Sequence, residues 1–374
     1  MREQRLTSHP AEARDQNDGG ATILEIGQQP GAWQEIARRD DERPAAFLAD
    51  ILARPNLRII LTGAGSSAFA GQIVAPAVRR HVGCRVDAIA TTSIVAKPTE
   101  YLECETPTLL VSFARSGNSP ESLASTRLAD ELVDEVWHLI LCCDAAGELP
   151  RAHSQRADSL VVFMPERTND TGFAMTSSLT SMMVTSLLLL GGADRASVDA
   201  LADAAEYVVD RQQDVRALAS AKRTRFVYLG SGALEGLARE SALKVLELTA
   251  GEVVTYFDSP LGFRHGPKSV LDCDTLVVVY LSTDAYTRRY DLDIVAEIRA
   301  QLGDDSVVVV GAGGTWDLPG LAGLRDSQVA VAYLVFAQYL ALFTALEWGK
   351  TPDNPFPDGE VSRVVKGVTI HPMT

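Results

Sequence analysis

The sequence predicts an α/β protein made of two similar units in tandem, each a parallel sheet flanked by helices. Three observations carry this. Short apolar runs alternate with amphipathic stretches along the whole chain, the pattern of strands joined by crossover helices. The same order of strand, small-residue turn and helix then recurs: Gly63 and Gly230 are 167 residues apart, Ser112 and Ser282 are 170 apart, and Cys143 and Gly311 are 168 apart. Finally, 374 residues suit two domains of ordinary size.

In chain order, residues 1–22 are polar, contain Pro10, Gly19 and Gly20, and lack the apolar core of a leader peptide; they are expected to form a disordered tail. The first unit is assigned to 23–200. Strands are expected at 58–62, 108–112, 136–142 and 160–164, with helices at 121–133 and 176–190. The join falls in the polar helical stretch 191–209. The second unit, 201–350, carries strands at 225–229, 275–281 and 306–310 and a closing helix at 329–348. A tail over 351–374, rich in proline at Pro352, Pro355 and Pro357, ends the chain.

Composition excludes several classes of function. A net charge of −15 leaves no basic face for nucleic acid. No apolar run approaches the roughly 20 residues of a membrane span; the run at 187–190 stops at Gly191-Gly192. The five cysteines, Cys84, Cys104, Cys142, Cys143 and Cys273, have no CxxC spacing and read as reduced, mostly buried thiols of a cytoplasmic protein. No His/Cys/Asp cluster has metal-ligand spacing, so no metal is expected. An acidic protein that binds an anion must gather positive potential locally, from backbone N–H groups, a helix N-terminus and one or two cations.

Four segments have the residues to do so. Gly63-Ala64-Gly65-Ser66-Ser67 turns from a strand end into a helix, placing the Ser66 and Ser67 hydroxyls and free N–H groups together; an ordinary serine-capped turn has the same pattern. Ser112 to Ser119 also follows a strand end, where open α/β sheets bind ligands. In it Ser116, Gly117, Asn118 and Ser119 offer hydroxyls and a flexible backbone, Arg115 adds a cation, and Pro120 fits the first helical turn. The matching stretch of the second unit, 282–286, lacks the Ser-Gly-x-Ser arrangement, so one phosphate site is expected per chain. Glu240, Lys244 and Glu247 share one helix face at i, i+4 and i+7. By spacing alone they form a solvated ion-pair stripe, but the leucines and valine around them suit a carboxylate tuned for proton transfer. His265 sits in a loop bracketed by Pro260, Gly262, Gly266 and Pro267, a setting that presents a proton carrier.

Taken together, Gly65-Ser66-Ser67, Ser116-Gly117-Asn118-Ser119, the helix 240–247 and His265-Gly266-Pro267 resemble the sugar isomerase (SIS) domain family over about residues 40–370. Their order is similar to the tandem isomerase half of glucosamine-6-phosphate synthase. The resemblance does not extend to a glutaminase domain, so glutamine-dependent synthesis is not expected. The stretches 263–269 and 170–178 look most like the tagatose-6-phosphate ketose/aldose isomerases of amino-sugar catabolism, also described as galactosamine-6-phosphate deaminase/isomerases.

The resemblance implies two five-stranded, flavodoxin-like sheets. It implies a phosphate held by Ser66, Ser67, Arg115, Ser116, Gly117, Asn118 and Ser119, with Gly65, Ser112, Thr176 and Ser177 facing the sugar. In the synthase pattern a glutamine stands where this chain has Arg115, and a serine where it has Ala114. The resemblance further implies that Glu247 shuttles a proton between C1 and C2, that His265 opens the sugar ring from a neighbouring subunit, and that Lys366, with Lys244 and Glu240, completes the catalytic set. A homodimer or higher homo-oligomer follows. No cofactor is implied. The implied reaction converts a 6-phosphorylated hexosamine, galactosamine 6-phosphate foremost, to the ketose 6-phosphate and ammonia. A plain tagatose 6-phosphate isomerase, a glucosamine-6-phosphate deaminase and a non-catalytic phosphosugar-binding regulator are the alternatives.

Overall fold

The computed structural model describes residues 19–365 and 367–373. Helices α1 (Gly20–Gly27), α2 (Gln29–Ala37) and α3 (Arg43–Leu52) precede the first sheet. There β1 (Arg58–Thr62) leads into α4 (Ser66–Val82), β2 (Arg85–Ala88) and the short helices α5 (Thr91–Ala96) and α6 (Pro98–Tyr101). Next come β3 (Thr108–Ala114), α7 (Pro120–Leu132), β4 (Val136–Cys142), α8 (Glu148–His153) and β5 (Ser159–Phe163). Helices α9 (Ser177–Leu190), α10 (Arg195–Asp210) and α11 (Gln212–Ala219) lead to the second sheet. It runs through β6 (Arg225–Gly230), α12 (Ala233–Leu248), β7 (Val254–Asp258), α13 (Pro260–Phe263), β8 (Thr275–Tyr280), α14 (Thr287–Leu302) and β9 (Val307–Val310), and α15 (Asp326–Glu347) follows.

Both sheets are parallel, with strand orders β2-β1-β3-β4-β5 and β7-β6-β8-β9. The second sheet therefore has four strands among the described residues, not the five expected. Beyond β9 a single bridge joins Val310 to Trp316, and the following segment, 312–325, is too rich in glycine and proline to continue as a strand. The edge strands β2 and β7 are absent from the sequence reading. Val86 is the one buried side chain of β2, which makes no apolar run; β7 is exposed or half-buried in the fold, although Val253-Val254-Thr255-Tyr256-Phe257 is a strand-like run that the sequence reading passed over.

The main core fills the space between the sheets. Ile59 and Leu61 of β1 and Phe226, Tyr228 and Tyr280 of the second sheet pack there against α4, α9, α10, α12 and α15. Alternate strand residues face outward: Ile60 and Leu110 toward α5 and α7, and Val227, Val277 and Val279 toward α13 and α14. Among the described residues α15 is long and apolar enough to cross a membrane, but 94 % of its apolar window is packed inside this core. Helices α4 and α12 cross closely. A Cβ on Gly236 would stand 3.0 Å from Ile73 Cγ1 and 3.2 Å from Gln72 Cβ.

Two expectations about the periphery change. Order begins before residue 23, because the Asp353 carboxylate accepts hydrogen bonds from the Ala21 and Thr22 amides and the Thr22 hydroxyl at the start of α1. That contact spans more than 330 residues and has no local signal. Of the cysteines, only Cys142 and Cys143 are buried, whereas Cys104 and Cys273 are exposed; all five are free thiols.

Gly230 ends β6 under the first turn of α12, where a Cβ would stand 2.3 Å from the Leu234 carbonyl oxygen. Gly230→Ala is expected to cost about 1–3 kcal/mol, read as a lowered urea midpoint at unchanged m-value.

Candidate active site

The site is built at the carboxyl end of the first sheet. Gly63 allows α4 to start directly against β1, since a Cβ there would meet Ser67 Cβ at 2.5 Å. Gly65 has φ 55° and ψ −128°, a conformation open to glycine, and it delivers Ser66 and Ser67 into the first turn of α4. The second sheet repeats this turn: Gly232 has φ 59° and ψ −118°.

Strand β3 continues two residues past the expected Ser112, to Ala114. The loop that follows turns at Gly117, whose φ is 64°, and Ser119 precedes Pro120 at the start of α7. The Ser116 hydroxyl accepts from the Asn118 amide at 3.3 Å, and the Ser119 hydroxyl donates to Glu121 at 2.8 Å. The Asn118 side chain points elsewhere, accepting from the Glu148 amide at the start of α8. Beneath the loop, Thr62, Thr91 and Ser112 have buried hydroxyls with no partner among the described residues. Thr62 and Ser112 are register neighbours on β1 and β3, and the Thr91 amide bonds the Gly63 carbonyl at 2.8 Å. An unsatisfied buried hydroxyl costs about 1–3 kcal/mol, so this cluster is suited to bonding a polar ligand.

Arg115 was expected beside the phosphate, but its guanidinium takes other partners. As the next residue after β3 it alternates to the face opposite Ser112, donating to the Phe173 carbonyl at 3.3 Å and the Arg363 carbonyl at 3.0 Å. It is 8 % exposed and lies within the electrostatic reach of Asp170 and Glu247. Thr176 and Ser177, expected to face the sugar, are 1 % and 0 % exposed and are bonded elsewhere. Their hydroxyls and amides, with those of Ser178, all donate to the Asp170 carboxylate, which thus caps α9 from six residues upstream. Glu25 does the same for the Thr171 and Gly172 amides. The reading by sequence missed Asp170, Glu25, Thr62 and Thr91. Only Asp170 had a local signal, an acidic residue shortly ahead of a Thr-Ser-Ser helix start.

Helix α12 brings a charged face to the cradle. The solvated stripe that spacing alone suggests does not form: Glu240 and Lys244 have side chains 0 % and 1 % exposed, and only Glu247 reaches solvent, at 28 %. The Lys244 ammonium lies 2.6 Å from Glu247 and 3.3 Å from Glu240. Burial raises the Glu240 carboxyl to about 7, with Lys244 opposing and Glu247 reinforcing the shift, and Ser66 lies alongside. Burial works against the Lys244 charge, but its two carboxylates more than offset this and hold it above its usual value. The arrangement presents one carboxylate, backed by a fixed ammonium, next to the helix start that bears Ser66 and Ser67.

His265 is not brought to this group within one chain. Phe263 is buried against α14, and Arg264 and Lys268 both pair with Glu297 of α14. The exposed His265 therefore belongs to the α14 face of the second sheet, and Glu247 to the opposite, α12 face. Lys366 lies outside the described residues. Among those residues no group of three His, Cys, Asp or Glu side chains could hold a metal.

The Ser66-Ser67 turn of α4, with the largely buried Glu240–Lys244–Glu247 face of α12 beside it between two parallel sheets, fits the class of phosphosugar isomerases built on SIS domains. The SIS domain model matches residues 51–190. The D-galactosamine-6-phosphate deaminase AgaS of Escherichia coli is 44 % identical, aligned over 95 % of this chain and 96 % of its own. That of Shewanella sp. (strain ANA-3) is 42 % identical over 94 % and 92 %. A crystal structure of tagatose-6-phosphate ketose/aldose isomerase from Escherichia coli superposes with a TM-score of 0.87 at 41 % identity, covering 98 % of this chain and 99 % of that one. The chain belongs to the AgaS family of SIS-domain proteins.

The Glu240 carboxyl, normally near 4.5, titrates near 7 in the fold. As pH rises between those values the unfolded chain loses this proton first, so folding stability falls. Glu240→Gln removes that dependence. The melting temperature of wild type relative to Glu240→Gln is expected to drop from pH 4.5 to pH 7.5, and a flat difference would refute the shift.

Proposed function

We propose that this protein converts galactosamine 6-phosphate and water to tagatose 6-phosphate and ammonia. The observation that carries the reading is the buried Glu240–Lys244–Glu247 triad beside the first-sheet cradle. Its membership of a family whose named members are galactosamine-6-phosphate deaminases supports it.

In this reading the phosphate lies over the first turns of α4 and α7, held by Ser66, Ser67, Ser116 and Ser119, with backbone amides supplying positive potential that the acidic chain otherwise lacks. Lys244 holds Glu247 ionised, and Glu247 removes the proton from C2 of the opened sugar. The electron pair moves into a C1–C2 double bond while the C1 carbonyl oxygen takes up a proton from water, giving an enolamine. The proton returns at C1, which leaves an imine at C2. Water adds to that carbon and ammonia leaves, producing the ketose. Ring opening needs an acid on the ring oxygen. His265 takes this role from a second copy of the chain, because in its own chain the sheet separates it from Glu247. In this reading Lys366 is the cation that the family resemblance assigns to the carbonyl end of the sugar. The same reading makes the two halves tandem SIS domains, about 23–200 and 201–350, of a cytoplasmic homodimer.

A second reading rests on the likeness to the tagatose-6-phosphate ketose/aldose isomerase. The same base and acid would interconvert a ketose and an aldose phosphate through an enediol, without nitrogen.

Ammonia release measured with galactosamine 6-phosphate, glucosamine 6-phosphate and tagatose 6-phosphate separates these readings; the first substrate should give the highest kcat/KM. Glu247→Gln should lower kcat by about 10²–10⁴-fold while sugar-phosphate binding survives. Ser116→Ala should chiefly raise KM. Neither Glu247→Gln nor His265→Asn should be active alone, but co-expressed they should regain part of the activity through mixed dimers that hold one intact site. Failure of that complementation would place His265 in its own chain's site or outside the reaction.

A further inference from the structure

A cavity of about 870 Å³ opens at the carboxyl end of the second sheet, away from the site described above. Its position is the pseudo-symmetric counterpart of the first-sheet cradle: Gly232 and Ala233 line it at the start of α12, and Thr283 lines it just after β8. The innermost anion-binding positions are already filled by the protein. The Asp291 carboxylate accepts from the Ser231 hydroxyl and the Ser282 amide, and the Asp326 carboxylate accepts from the Ser282 hydroxyl and from the Thr283 amide and hydroxyl. This is the physical reason the second sheet cannot hold a phosphate in the manner of the first.

Farther out the lining changes character. Arg80 from α4, Arg288 from α14 and Arg325 before α15 converge on the cavity. None of the three pairs with a carboxylate among the described residues, although many other arginines of this acidic chain do. Tyr333 also lines it, 2 % exposed, and its hydroxyl has no hydrogen-bond partner among the described residues. Asp317 adds a carboxylate that accepts from nothing described. Arg288 donates to the Ser282 and Ala312 carbonyls, which leaves the Arg80 and Arg325 guanidiniums free to bind a phosphate; Asp317, with Asp284 and Asp326 also in the lining, and the buried Tyr333 hydroxyl suit sugar hydroxyls. The volume is within the range of small-molecule sites.

We propose that this cavity is a second ligand site, taking a phosphorylated polyol of the sugar-phosphate class. The proposal does not depend on the reaction assigned to the first site. Its walls are the far ends of α4 and α12, the two helices whose other ends carry Ser66 and Glu247, so a ligand here touches both.

Calorimetric titration of the full-length protein with sorbitol 6-phosphate, which has no carbonyl to react, tests it. Two binding events per chain are expected. Arg80→Ala/Arg325→Ala, at two exposed positions where folding is not at stake, should weaken one event by more than about tenfold and spare the other. Ser116→Ala should do the reverse. A single event in the wild type, or two events that both survive the double substitution, overturns the proposal. Inorganic phosphate binding to the arginine-dependent site as tightly as sorbitol 6-phosphate overturns the polyol part of it.

Discussion

The Lys244 ammonium, held between Glu240 and Glu247 inside the protein, is the constraint on which the rest of the site depends. Ions are taken out of water only at a cost of several kcal/mol each, and here an ammonium and a fully buried carboxyl are packed where α12 meets the start of α4. Removing Lys244 would leave the buried Glu240 without its cation, whereas losing either glutamate leaves the ammonium paired with the other. The triad therefore fixes α12 against α4, and with it the distance between the carboxylate that reaches solvent and the serine turn on β1. Glycine at 236 makes that close approach possible, since a side chain there would press on Ile73 and Gln72.

A second set of carboxylates assembles the other wall. Asp170 caps α9, Glu25 holds the Thr171-Gly172 turn, and Asp353 captures the start of α1. Each replaces solvent as the acceptor for helix or loop amides. Between them they bind the N-terminal helix, the loop ahead of α9 and the C-terminal tail into one body. Arg115 closes this body from the sheet side through two carbonyls, and Phe173 packs against Phe356 at a tilt, with ring centroids 5.2 Å apart. The cation thus braces the loop and the tail over the sheet end. A −15 chain thus uses several of its own acidic groups as internal acceptors.

The antiparallel pair α4 and α12 also relates the two halves. Ser66 lies by Glu240, Ile73 by Gly236, and the α4 C-terminal half faces the α12 N-terminus across the second cavity. The glycine turns that start the two helices have nearly the same backbone angles. What distinguishes the halves is chemistry at the strand ends: free hydroxyls in one, hydroxyls bonded to Asp291 and Asp326 in the other.

The sequence by itself determined the parallel α/β class, the internal repeat and the buried strands, because continuous apolar runs ending in glycine and serine are local signals. It also picked out the cradle segments and the i, i+4, i+7 charges, since turn chemistry and helical spacing are written in neighbouring residues. The sequence reading did not place β2, which leaves no apolar run, or β7, although Val253–Phe257 carries a strand-like run, nor the four strands of the second sheet. Only the tertiary structure decided that the charged face of α12 is buried rather than solvated, because a helix face is exposed or buried according to what packs on it. Only it turned Arg115 away from Ser112, tied Thr176 and Ser177 to Asp170, and set His265 and Glu247 on opposite faces of a sheet. Each of these is a contact or separation between segments far apart in the chain, and no local pattern encodes it.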